Sequence, residues 1–147
     1  MWKKCAAGIL VGLVALPSAA NAWGEDQVRP DIIDKIFVLP DDGASGGCWT
    51  NIGEAKSYAT DMLSSRGLVV GPPEEHRADA WNLVIKVDAS RHKEGFCHGN
   101  INVSVQKFEG KEKYSSIVTI ADIENSFVYR DNANTGVLIT LERMLKH

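Results

Sequence analysis

Residues 81–108 read WNLVIKVDASRHKEGFCHGNINVSVQKF, and their reading decides the fold. Trp81, Leu83, Ile85 and Val87 alternate with Asn82, Lys86 and Asp88. Side chains of a strand point to opposite faces in turn, so this pattern predicts a half-buried strand over 81–87. After a loop at Ser90–Gly95 the pattern returns. Cys97, Ile101, Val103 and Val105 fall on one side, and Asn100, Asn102, Ser104 and Gln106 on the other. That spacing predicts a second strand over 97–108, with Cys97 on the core side. Glu109-Gly110-Lys111 reads as a turn, and YSSIVTIA at 114–121 as a third strand of the same meander. Phe127-Val128-Tyr129 fits a brief further strand or a packed loop.

Two helical patterns flank the meander. Ile52, Ala55, Ala59, Met62 and Leu63 recur at helical spacing and predict a helix over 52–66. Asn51 is the expected N-cap, with Glu54 completing a capping-box variant. Gly67 is suited to the left-handed conformation that ends a helix. Val137, Leu138, Leu141 and Leu145 predict a closing helix over 137–146, with Lys146 and His147 favourably placed at its C-terminus. Upstream, Ile36–Leu39 is too short for a helix and reads as a buried strand stopped by Pro40, followed by a flexible loop from Asp41 to Gly47. Leu68–Val70 is an optional strand before the breaker Gly71-Pro72-Pro73.

Each helix has one apolar face and each meander strand one apolar side. The economical packing is an α+β, two-layer sandwich, with both helices on one face of a mostly antiparallel sheet of three to five strands. The Asn- and Ser-rich side of the Cys97 strand is then open to water or to a partner. The element order loosely resembles small envelope-accessory domains that pair a few strands with two helices.

The start of the chain reads as an address. Lys3 and Lys4 precede the uncharged run Cys5–Leu16, Pro17 and Ser18 break it, and Ala20-Asn21-Ala22 supplies a small-x-small cleavage pattern. This is the layout of a secretory signal cleaved after Ala22. As a helix the run reaches only about 18 Å, short of a hydrocarbon core of roughly 30 Å. Residues 23–147 are then a single exported domain, periplasmic or secreted, with 23–34 as a flexible lead-in. The whole chain carries a net charge of −3, and loss of the two leader lysines makes it more acidic still. Its charges are scattered, which disfavours a nucleic-acid partner, since that binding needs clustered Lys and Arg. No membrane insertion is expected once the leader is gone.

Cys5 leaves with the leader, so Cys48 and Cys97 remain. A cysteine pair in an oxidising compartment is most simply a disulfide. A reactive thiol at Cys48, just before a helix, or at Cys97, beside His98, is the competing chemistry. His92 and His98 flank the predicted hairpin and are weak metal candidates, far from the four-ligand spacing of a structural zinc site. Asp41 and Asp42 lack the ordered carboxylates of a calcium loop, and the glycines after them lack the Lys-Ser/Thr ending of a phosphate loop. No cofactor is implied. The candidate binding surface is therefore Asp41, Asp42 and Trp49 together with Asn100, Asn102, Ser104 and Gln106. The leading expectation is a non-catalytic envelope accessory or protein-binding module. The alternatives are a small secreted enzyme or inhibitor using the 41–49 loop and the Cys97–His98 corner, and a carrier of metal or a small ligand.

Overall fold

The computed structural model describes residues 27–111 and 114–146; the expected leader and its cleavage site lie outside them. In order, the elements are β1 (Ile36–Asp42), α1 (Ile52–Ser65), a 3-10 turn (Pro73–Glu75), β2 (Trp81–Arg91), β3 (Cys97–Lys111), β4 (Tyr114–Tyr129) and α2 (Asn134–Leu145). The strands form one sheet in the order β1-β2-β3-β4. β2, β3 and β4 are the antiparallel meander. β1 runs parallel to β2, because α1 carries the chain back across the sheet between them. This is an α+β sandwich of a four-stranded sheet and two helices.

The alternation read from residues 81–108 builds the inner face. Leu83, Ile85 and Val87 lie in register with Val105, Val103 and Ile101, and all six are essentially buried. Each such side chain contributes roughly 1.5–3 kcal/mol relative to exposure. Ala55, Ala59 and Leu63 of α1 and Val137, Leu141, Met144 and Leu145 of α2 close the same core. α1 packs on β1, α2 on β3 and β4, and the helices touch each other. Gly136 permits the close approach of α2: a Cβ there would stand 2.7 Å from the Tyr129 ring and 3.0 Å from Ile101.

The structure corrects several expectations. Pro40 does not stop β1. The N–H and C=O of Ile36 both bond away from β2, to Val69 and Gly71. Alternation carries Val38, Pro40 and Asp42 to the same outer side, so the missing N–H of Pro40 costs the ladder nothing. Asp41 and Asp42 are therefore strand residues, not loop. The lead-in is docked where it is described: Val28 and Ile33 are buried in the core, because they are the apolar side chains able to cover its end. Ser90 and Arg91 belong to β2, and Glu109, Gly110 and Lys111 to β3, since both hairpins continue their pairing past the predicted turns. β4 runs unbroken through Phe127-Val128-Tyr129. Asn51 does not cap α1 with its side chain. Its Oδ1 accepts from the Trp49 indole at 3.0 Å and its Nδ2 donates to Glu54 at 2.9 Å instead. Gly67, at φ +80°, ends α1 as expected.

Candidate functional site

Three regions gather the candidate residues. The first is the corner where β3 begins. Cys48 and Cys97 are joined there by a disulfide, with Cα atoms 5.6 Å apart and both residues fully buried. With both sulfurs bridged, neither residue carries a thiol. The backbone N–H of Ala133 donates to the Cys48 carbonyl at 2.7 Å, which ties the start of α2 to the bridge. Asn134 adds to this tie: its Oδ1 accepts from the Thr50 N–H and its Nδ2 donates to Thr50 Oγ1 at 2.8 Å. Trp49 is only 4% exposed, so it is core beside the bridge and drops out of the candidate binding surface. Its indole N–H is satisfied by Asn51, which leaves the ring free to pack inward.

Sequence reasoning missed Arg91, which organises this corner. Its guanidinium donates to the carbonyls of Gly46 (2.7 Å), Gly95 (2.7 Å), Asp131 (2.9 Å) and Gly47 (3.4 Å). One planar group thus holds three separate loops. The available signal was the pair Gly46-Gly47, whose positive φ values of 63° and 71° turn those carbonyls toward it.

His92 and His98 come together at the β2–β3 hairpin, with ring centroids 6.3 Å apart. His92 stacks on Phe96 at 4.6 Å and its Nδ1 accepts from the Glu94 N–H. His98 Nε2 lies 3.3 Å from Ser90 Oγ. Among the described residues, no group of three or more His, Cys, Asp and Glu side chains is placed to hold a metal ion.

The second region is the outer face of the sheet. Strand register puts Asp41 of β1, Lys86 and Asp88 of β2, His98 to Gln106 alternately on β3, and Asp122, Glu124, Ser126 and Val128 of β4 on this side. Lys86, Asp88, Asn100, Asp122, Glu124, Ser126 and Val128 are all exposed. The polar side chains pair across strands: Asn102 donates to Asp122 at 2.7 Å and Ser126 to Asn100 at 2.8 Å. Lys86 bridges Asp88 at 3.1 Å. That hydrogen bond first, then the charge of Asp88 and that of Asp41, holds the Lys86 ammonium above its ordinary value. Four carboxylates here face one lysine, so the surface is acidic.

The expected face is not uniformly wet. Ser104 is buried, because it is short and its register neighbours Val84 and Asp122 shade it. Gln106 and Asn102 are half-buried. Asn82 points to this side yet is only 3% exposed. His76 covers it, with Nε2 2.9 Å from Asn82 Oδ1, while Asn82 Nδ2 donates to the Ala80 carbonyl. The same imidazole sits edge-on to Phe37 at 5.2 Å.

The third region is a cleft of about 470 Å³ at the other end of the sheet, with Phe37 and Trp81 in its lining. Its volume suits a small molecule, but charge pairs wall it where ligand pockets are mostly apolar. Lys35 bridges Glu75 (2.8 Å) and Arg77 bridges Asp79 (3.1 Å). Lys107 lies over the Trp81 ring and bridges Glu109.

The chain matches no protein-family model and no curated protein sequence.

Proposed function

We propose that the protein is exported, loses its leader after Ala22, and acts as a non-catalytic envelope accessory module that binds another protein through the outer face of its sheet. One observation carries this reading: an acidic face spanning all four strands is left uncovered by both helices, which pack on the opposite side. The buried disulfide supports the compartment, since such bridges persist in oxidising surroundings. Among the described residues no helix is long and apolar enough to cross a membrane. The reading of an enzyme or inhibitor built on the 41–49 loop and the Cys97–His98 corner has less to stand on, because the sulfurs are bridged and Trp49 is buried.

The test is site-specific photo-cross-linking in a bacterial envelope, with the full chain and its leader. A cross-linker at Asn100, on the outer face, is expected to capture a defined protein. A cross-linker at the exposed Ser57, on α1, is the control. Identical products from both positions, or none from either, would refute the proposal. A second reading, a metal or small-ligand carrier, draws on the proximity of His92 and His98. It requires metal in natively purified protein that disappears in the His92→Ala/His98→Ala variant.

A further inference from the structure

The two edges of the sheet are not alike. At β1, segment 69–71 bonds to Ile36 on the outer side, and Pro40 removes a donor further along. Among the described residues β4 has neither a covering segment nor a proline, and its charges are the two acids Asp122 and Glu124. Its sequence, YSSIVTIADIENSFVY, contains no Lys, Arg, Pro or Gly, and among the described residues it pairs with β3 alone. Proteins ordinarily blunt a long edge with lysines, prolines or short strands, because unpaired N–H and C=O groups are a template for another strand. The register irregularity opposite Val105/Gln106 divides this edge into two regular stretches, Tyr114–Thr119 and the longer Ala121–Tyr129.

The side chains on the longer stretch say what fits it. Asp122 and Glu124 project on the outer face, exposed, and among the described residues neither is in an ion pair. Val128 follows on the same face, 69% exposed. On the inner side, Arg143 of α2 reaches Asn125 of β4. One turn earlier on the same helical stripe is Ile139, 49% exposed. An added strand thus meets two carboxylates and an apolar end on one face, and Ile139 and the Arg143 guanidinium on the other. A second copy does not meet these demands. Two-fold antiparallel pairing about Ile123 would set Asp122 of each copy against Glu124 of the other, and like charges directly opposite are destabilising; pairing about Asn125, the centre of the stretch, would set them against Val128 and Ser126, so neither register offers the carboxylates a cation.

We propose, resting on the accessory-module reading, that the β4 edge at Ala121–Tyr129 receives an extended segment of the partner protein as a fifth strand. That segment carries Lys or Arg at two alternate positions, opposite Asp122 and Glu124, and apolar residues between and beyond them. Backbone pairing supplies the contact, and the alternate side chains supply the selectivity.

The probe is an acetylated, amidated peptide of about nine residues, VKVKVTVVV, which in parallel register with Ala121–Tyr129 sets its two lysines opposite Asp122 and Glu124 and a valine opposite Val128. The comparison peptide has glutamate for both lysines. The lysine peptide is expected to bind at least about ten-fold more tightly, with a preference that shrinks as salt rises. It is expected to slow amide exchange along Ala121–Tyr129. The Asp122→Lys/Glu124→Lys variant, altered only at exposed positions, should invert the preference. Equal binding of the two peptides, binding of neither, protection along β1, or a β4-mediated dimer of the free protein would overturn the proposal. Cross-linking through Asn100 with no peptide effect on β4 would leave the accessory-module reading standing and remove the edge alone.

Discussion

Replacing Cys48 and Cys97 together by alanine removes a cross-link between positions 49 residues apart. The chain-entropy relation puts the constraint on the unfolded state at about 4 kcal/mol for a loop of that length. Both sulfurs are fully buried, so their removal adds about 1 kcal/mol each, as for deletion of a buried methyl group. The sum, about 6 kcal/mol, is comparable to the whole stability of many domains of this size, on the order of 5–15 kcal/mol. The assay is equilibrium urea unfolding of residues 23–147, followed by tryptophan fluorescence; Trp49, buried beside the bridge, is a natural reporter. At a slope of about 2 kcal/mol per molar urea the midpoint should fall by roughly 3 M, or the variant should be unfolded without denaturant. Reduction of the parent protein should reproduce most of that loss. A fall of less than about 1 kcal/mol would refute the reasoning. It would mean that the hydrogen bonds of Arg91 and Ala133 hold the corner without the sulfurs.

Arg91→Ala removes donors to the carbonyls of Gly46, Gly47, Gly95 and Asp131. At this exposed site the expected cost is about 1–2 kcal/mol, with faster amide exchange in the loops at 44–47 and 92–96, and unchanged exchange there would count against the clamp. Gly99→Ala sets a methyl group 2.6 Å from the Ala89 Cα and against the Asp88 carbonyl on the neighbouring strand. It should destabilise by about 2–3 kcal/mol in thermal or urea unfolding, and a neutral result would contradict the β2–β3 spacing. Lys86 titrates above its ordinary value of 10.5, chiefly through its hydrogen bond to Asp88. Its folded value exceeds its unfolded one, so its contribution is complete below about 10.5 and is lost as pH rises through the raised value. Asp88→Asn should lower the Lys86 titration followed by NMR at the side chain, and an unmoved titration would exclude that cause.

The inner face was legible because it is periodic. Leu83, Ile85, Val87, Ile101, Val103 and Val105 needed only alternation, and Cys97 fell into the same register. What failed was information not held locally. Pro40 breaks a strand only if its nitrogen faces a partner, and that depends on which side β2 occupies. Asn82 and Ser104 read as solvent-facing polar residues; His76 covers the first and close cross-strand neighbours the second, from positions that no short window contains. Trp49, beside Cys48, reads as packing over the bridge with an anchor role as the lesser alternative, and the direction of its indole bond to Asn51 decides for the core. Of the candidate surface, register places Asp41, Asn100 and Asn102 together on the outer face, while Asp42, opposite the inward Val87, projects to the other side. The β4 edge was not seen, because Ile120 and the register shift opposite it interrupt the alternation that would have shown one strand from Tyr114 to Tyr129. Arg91 was missed for a different reason: a lone arginine at a strand end carries no pattern.

A partner strand can add to the sheet only if the outer edge of β4 is bare. Residue-resolved hydrogen exchange of residues 23–147 along β4 tests this most directly. The expected result is a two-residue alternation over Ala121–Tyr129, with the amides bonded to β3 slow and those between them fast. Uniformly slow exchange along the stretch would show that something already pairs with this edge, and would contradict the account.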